Sequence, residues 1–146
     1  MRIVNKKGLH NNHILESVEA GIVLRGNEVK SIRAGRVDLS ESFARIVNEE
    51  AVLVNMLIPA YQNAPIKDYN PTRTRKLLIH KAQIRSLIGK LTQAKLTLLP
   101  VSIYDKNNFI KVQVGLAKSK KQFDKRKEIK ERDNLRREEQ ELRGKE

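Results

Sequence analysis

The apolar positions of this chain fall into short β-branched runs separated by polar breaks. "SFARIVNEEAVLVNMLI" (42–58) holds two such runs around Asn48-Glu49-Glu50, a hairpin pattern. "LTLLPVSIYDKNNFIKVQVGLA" (96–117) repeats it, with Asp105 to Asn108 as the turn. Within it, Ile110, Val112 and Val114 alternate with Lys111 and Gln113, so one face of a strand is apolar and the other polar. "GIVLRGNEVKSI" (21–32) reads as a third hairpin, turning at Arg25-Gly26-Asn27 with Gly26 supplying a positive φ. Phe43 and Phe109 take strand positions in these hairpins and are expected in the core. Three hairpins at antiparallel spacing predict a small closed barrel.

One segment has another period. "KAQIRSLIGKL" (81–91) puts Ile84, Leu87, Ile88 and Leu91 at i, i+3, i+4 and i+7, the stripe of an amphipathic helix. Placed between strands, it suits a helix plugging one end of an OB-type barrel. Leu39-Ser40-Glu41-Ser42 is expected as a helical turn. "NAPIKDYNPTRTR" (63–75) has no period and two prolines, so it is a loop. Its basic end, Arg73, Arg75 and Lys76, is either a ligand-contact element or incidental surface charge.

The pattern stops at the C-terminus. Residues 118–146 hold 12 Lys/Arg, 8 Asp/Glu and four large apolar side chains, Phe123, Ile129, Leu135 and Leu142. Ordering backbone costs about 1–2 kcal/mol per residue, and burying such a side chain returns about 1.5–3 kcal/mol. The tail cannot fold on itself by that arithmetic. The expected organisation is therefore a 1–117 barrel body and a 118–146 basic tail, disordered when free and foldable on a partner. Its positive charge is concentrated in 118–132.

Charge narrows the function. The chain of 146 residues has a formal net charge of +13 and a pI near 10.2. The tail supplies 12 − 8 = +4, so the body carries +9. Such a balance points to nucleic acid first and an anionic membrane second. No apolar run approaches a spanning helix or a signal peptide, and there is no cysteine. A soluble cytoplasmic protein is the simplest reading. His10 and His13 stand three apart without a third ligand at useful spacing, so no metal site is expected. No Walker A run, G-x-G-x-x-G or nucleophile elbow occurs, and Glu49-Glu50 sits in a turn. A binding protein without cofactor is expected, not an enzyme. With three Tyr and three Phe, of which Tyr61 and Tyr69 lie in loops, stacking platforms are scarce. Folded RNA read by shape, phosphate and 2′-OH is favoured over unpaired bases. Composition alone leaves open a basic ribosomal or initiation-type OB protein, and less readily an RNA-modifying enzyme.

Four stretches carry a resemblance: "EAGIVLRGNEVKSIRAG" (19–35), "NPTRTRKLLIH" (70–80), "LIGKL" (87–91) and "GLAKSKKQFDKRKEIKERD" (115–133). Together they resemble the SsrA-binding protein family (small protein B, SmpB), from about Asn5 to Arg132. The resemblance implies an OB-fold barrel with added helices. It implies a non-catalytic protein that binds the tRNA-like domain of tmRNA and delivers it to stalled ribosomes in trans-translation. It also implies a tail that turns helical in the empty mRNA channel next to the decoding site. tmRNA and the ribosome are then the partners, with no membrane and a free monomer.

The family's RNA-binding glutamate falls on Glu19, otherwise an ordinary strand-start carboxylate. Its "KLLLH" run falls on Lys76 to His80, giving Leu78 and His80 contact roles. His80 alone would read as a helix-cap residue. Lys30, Arg33, Arg73 and Arg75 join the expected RNA contacts, as do Asn5, Lys6, Lys7 and His10 of the N-terminal segment and Lys118, Lys120 and Lys121 before the tail. Asp124, Lys125 and Arg126 match the tail motif. They are expected to engage the ribosome with Phe123, Ile129, Lys130 and Arg132. Ser119 and Gln122 fit a capping box, and Lys127/Glu131 and Glu128/Arg132 are i,i+4 pairs. The chain departs from the family pattern at Leu9, Asn12 and His13.

Overall fold

Ile110, Val112 and Val114 are buried on one face of a strand, and Lys111 and Gln113 lie on the other. That alternation, repeated in neighbouring strands, closes a barrel. The computed structural model describes residues 1–61, 68–93, 95–120 and 130–138. In order these form β1 (Arg2–Val4), α1 (Lys6–Asn11), β2 (Asn12–Ile22), α2 (Gly26–Arg33), β3 (Phe43–Val47), β4 (Glu50–Val54), β5 (Arg75–Leu78), α3 (Lys81–Gln93), β6 (Thr97–Lys106) and β7 (Phe109–Ser119).

Strands run β6-β3-β4-β5-β2-β7 by antiparallel pairing, and β7 pairs back onto β6, so the ring closes. β6 meets β3 at Ala44↔Leu98 and, further along, carries β1 through Arg2↔Tyr104 to Val4↔Ser102. This mainly β, OB-type architecture with a few helices agrees with the sequence expectation. Inside lie Leu53, Met56, Ile58, Leu77, Ile103 and Val112, with Ile32 of α2 and Leu87 of α3 joining them. The α3 stripe is as expected: Ile84 and Leu87 are buried, Ile88 and Leu91 half-buried. Pro100, which has no N–H to give a ladder, stands at a β6 bulge between Pro100 and Ser102. Asn5 fastens the N-terminal segment there. Its N–H donates to Val101 O at 2.8 Å and its amide nitrogen to Pro100 O at 2.8 Å.

Two hairpin turns are where the sequence placed them, though tighter. Asn48-Glu49 joins β3 to β4 and Asn107-Asn108 joins β6 to β7, each residue at positive φ, as two-residue turns matching strand twist require. The third expected hairpin does not exist. β2 ends at Ile22, and Gly26 opens helix α2. Glu28, at the third helical position, accepts from the Arg25 backbone N–H at 2.8 Å and so starts the helix. Leu39 to Ser42 is a single hydrogen-bonded turn, with Ser42 N–H reaching Leu39 O at 3.1 Å. Residues 68–74 are irregular, as read for the loop, but Arg75 belongs to β5.

β7 extends to Ser119, with Lys118↔His13 and Ser119↔Asn12, and Lys120 N–H donates to Asn11 O at 2.9 Å. β7 thus runs two residues beyond Ala117, and Ser119 is a strand residue rather than a helix cap. Residues 130–138 are helical with every side chain exposed. Within them Asp133 precedes Arg137 by four, the favourable order for an ion-pair bias. Among the described residues, no helix is long and apolar enough to cross a membrane.

Candidate nucleic-acid interface

Cross-strand partners share a face, and the register sets one row across five strands. Arg2 stands opposite Tyr104, Tyr104 opposite Lys111, Lys111 opposite Gly21, and Gly21 opposite Leu78. The row lies outside the barrel, because its sequence neighbours Ile103, Ile110, Val112, Ala20 and Leu77 are the buried ones. Glu19 lies one row on, opposite Gln113.

The Glu19 carboxylate is held from two sides. Tyr104 Oη donates to its Oε2 at 2.5 Å, and Lys106 Nζ lies 3.2 and 3.3 Å from its two oxygens. The Tyr104 hydrogen bond first, then Lys106, lowers the Glu19 pKa below the ordinary carboxylate value. Tyr104, mainly through burial and then through Glu19, is pushed up to about 12. The tyrosine therefore stays a donor and Glu19 an acceptor at neutral pH. The Arg2 guanidinium lies 4.9 Å from the Tyr104 ring centroid, a cation–π contact that fixes the ring.

Glu19 borders an open cleft of about 450 Å³, lined also by Gly21, Glu50, Lys76, Leu78, His80 and Lys111. Gly21 has a structural reason: a Cβ there would come within 3.2 Å of Leu78 Cβ. Leu78 is 54% exposed. Lys76 reaches Glu50 at 3.6 Å. His80 precedes α3, and its carbonyl accepts from Ile84 N–H at 3.0 Å. The cleft thus offers an ionised acceptor, cations and an apolar side chain. A carboxylate accepts from base amino groups or a 2′-OH, while lysines neutralise phosphates.

Of the residues expected from the sequence, Glu19, Lys76, Leu78 and His80 converge on this cleft. Lys30 and Arg33 lie on α2; Lys30 sits 5.8 Å from the Tyr61 ring centroid, and Arg33 contacts Asp105 at 3.4 Å. Lys6, Lys7 and His10 are exposed on α1, where Lys7 pairs with Glu41. Lys118 is exposed near them, opposite His13 at the end of β7, and Lys120 follows half-buried. Lys130 and Arg132 are exposed on the 130–138 helix. Lys121, Phe123, Asp124, Lys125, Arg126 and Ile129 lie outside the described residues, as do Gln122, Lys127 and Glu128.

Two expected contacts are corrected. Arg75 is fully buried, and its guanidinium is consumed inside. Nε donates to Glu28 Oε2 at 2.5 Å, Nη1 to Met56 O at 2.7 Å and Nη2 to Pro71 O at 3.0 Å. Asn5 is buried as the α1 cap, its side-chain oxygen accepting from Gly8 N–H at 3.0 Å. Arg73 is mostly buried against the same Glu28. Burial pushes the Glu28 pKa up, but Arg73, the Arg25 N–H and Arg75 outweigh it, and the net direction is down. Tyr69 is half-buried and gives its hydroxyl to Ile58 O at 2.5 Å. Phe43 is half-buried beside Arg45, and Phe109, expected in the core, is 68% exposed.

Tyr104, Lys106 and Lys111 were not foreseen as site residues. The polar side of the 109–114 alternation already marked Lys111 as outward, whereas Tyr104 and Lys106 needed the β6–β7 register. Among the described residues, no group of three or more His, Cys, Asp or Glu side chains is placed to hold a metal ion.

Fold and cleft together define a basic OB-type β-barrel with a polar surface suited to RNA. The model of the SmpB protein family matches residues 2–144. The SsrA-binding protein of Carboxydothermus hydrogenoformans is 51% identical over 140 residues, covering 96% of this chain and 94% of that protein. That of Enterococcus faecalis is 49% identical over 129 residues, covering 88% and 84%. A solved structure described as "tmRNA-SmpB: a journey to the center of the bacterial ribosome" superposes with a TM-score of 0.70 at 45% identity, covering 83% of this chain and 85% of that one. The chain belongs to the SmpB family.

Proposed function

We infer that this protein binds the tRNA-like domain of tmRNA and delivers that RNA to stalled ribosomes in trans-translation, working in the bacterial cytoplasm as an adaptor that makes and breaks no bonds. The observation that carries this reading is the convergence of Glu19, Lys76, Leu78 and His80 on one open cleft. Glu19 lies 57 to 61 positions before the other three in sequence, and the β2–β5 pairing brings them together. Glu19, kept ionised by Tyr104 and Lys106, accepts from a base edge or 2′-OH; Lys76 and Lys111 take phosphates; Leu78 and His80 pack against sugar or base.

The basic C-terminal segment is assigned to the ribosome, in the empty mRNA channel beside the decoding site. Support comes from its charge and from the helix at 130–138, whose side chains are all exposed. Phosphate walls would neutralise its cations while the helix satisfies its own backbone. The functional division is placed after Lys120, whose N–H still donates to Asn11 O just beyond the end of β7.

Fluorescence anisotropy across a salt series tests both parts. Residues 1–120 and the full chain are compared on the tmRNA tRNA-like domain and on an unstructured RNA of equal length. Both proteins should prefer the folded RNA, with salt slopes differing by less than the tail's full charge would give at about 0.7–0.9 per neutralised phosphate. Only the full chain should support tagging on stalled ribosomes. Preference that vanishes without the tail, or tagging by residues 1–120, would refute the assignment.

A further inference from the structure

We propose that Phe109, at the tip of the β6–β7 hairpin, is a stacking platform for an RNA base and extends the Glu19 cleft by one nucleotide-sized subsite. The proposal rests on the RNA-binding reading above and goes beyond it, since nothing in the family resemblance pointed to this residue.

Phe109 is the most exposed large apolar side chain among the described residues, at 68%. It contributes little to the core, so burial does not explain an aromatic there. Its position is informative. Phe109 shares the outer face of β7 with Lys111, two residues and about 7 Å away along the strand. Its cross-strand partner is Lys106, whose ammonium reaches Glu19. Ring, cation and carboxylate therefore lie along one continuous surface running from the tip into the cleft. A phosphate held at Lys106 or Lys111 would bring its base within reach of the ring.

The tip is also braced. Asn107 and Asn108, at φ 52 and 68, close a two-residue turn. Arg33 of α2 donates to Asn108 O at 3.1 Å and pairs with Asp105 at 3.4 Å. A platform fixed before binding loses little freedom when a base settles on it. The surrounding charge selects the partner. A bare aromatic face among Arg33, Lys106 and Lys111 suits a polyanion carrying flat apolar rings, and stacking accepts any unpaired base or exposed terminal pair.

The chain has no tryptophan, so Phe109→Trp installs a single reporter at the site. The full-length variant is titrated with the tmRNA tRNA-like domain, alongside Phe109→Leu and Glu19→Gln. Expected are quenching of the Trp emission and near-wild-type affinity for Phe109→Trp. Phe109→Leu should weaken binding about 5- to 150-fold, with the salt slope unchanged because no phosphate contact is lost. Thermal unfolding of Phe109→Leu should match wild type, since the side chain is exposed. Unchanged emission at saturating RNA, or wild-type affinity for Phe109→Leu, would overturn the proposal. Wild-type affinity with lost tagging would overturn it too, by moving Phe109 to a ribosomal contact. If Glu19→Gln weakens binding while Phe109→Leu does not, only this inference fails. If neither variant weakens it, the cleft reading fails as well.

Discussion

Glu28→Gln should cost this protein a large part of its stability without touching its surface. Glu28 and Arg75 are both fully buried. One carboxylate serves three donors: the Arg75 guanidinium, the Arg73 guanidinium and the Arg25 backbone N–H that begins α2. Glutamine keeps the volume but removes the charge and turns one acceptor oxygen into a donor facing a guanidinium. Breaking a buried pair by removing one partner costs about 3–5 kcal/mol, because the remaining charge is left uncompensated. At about 2–4 °C per kcal/mol for a chain near this size, the melting temperature should fall by roughly 6–20 °C. pH provides a second signature. The folded Glu28 pKa lies below its ordinary value, so its stabilisation is complete above the ordinary carboxylate range and is lost as pH falls through the folded value. Wild type and variant should differ fully at pH 7 and begin to converge as pH falls below the ordinary carboxylate value of about 4.3. Chemical denaturation of both proteins from pH 7 to 3 measures this. A difference under about 1 kcal/mol at pH 7, or one that stays constant to pH 3, would refute the argument.

Tyr104→Phe removes the strongest influence holding the Glu19 pKa down; the acid-side midpoint of RNA binding, followed by anisotropy, should move to higher pH, with Glu19→Gln insensitive over the same range. Gly115→Ala would bring a Cβ within 2.7 Å of Val101 Cγ2 and 3.1 Å of Ile14 Cγ2; unfolding should show a loss of about 1–3 kcal/mol. Glu49 holds φ 62 in the β3–β4 turn, a conformation that penalises a Cβ, so Glu49→Gly should raise stability by about 0.5–1 kcal/mol in the same assay.

What was legible in the sequence had a local cause. The 109–114 alternation and the 84–91 stripe were read correctly because each element buries one face, and burial imposes the period. Segment 21–32 was misread because eight helical residues show barely two turns of pattern, and Gly26-Asn27 is also good turn chemistry. What decides it is Glu28, whose partner Arg75 is 47 residues away. Arg75 was assigned to the surface for the same reason: a buried cation is recognisable only once its anion is known. Phe109 erred in the opposite sense, since strand position and aromatic character say nothing about which side of the barrel is dry. The cleft was anticipated through family resemblance to Glu19, Leu78 and His80, while Tyr104, Lys106 and Lys111 emerged from register.

Ring closure has a consequence for how the molecule comes into being. β1 pairs with residues 102–104, and β2 pairs along its length with residues 111–119. The first strands synthesised therefore have the last ones as partners. At about 5–20 residues per second, the N-terminal strands wait several seconds for them. Only the β3–β4–β5 meander can assemble early from its own neighbours. Final assembly is thus a late, long-range event, slow by topology and complete only once the chain has passed Ser119.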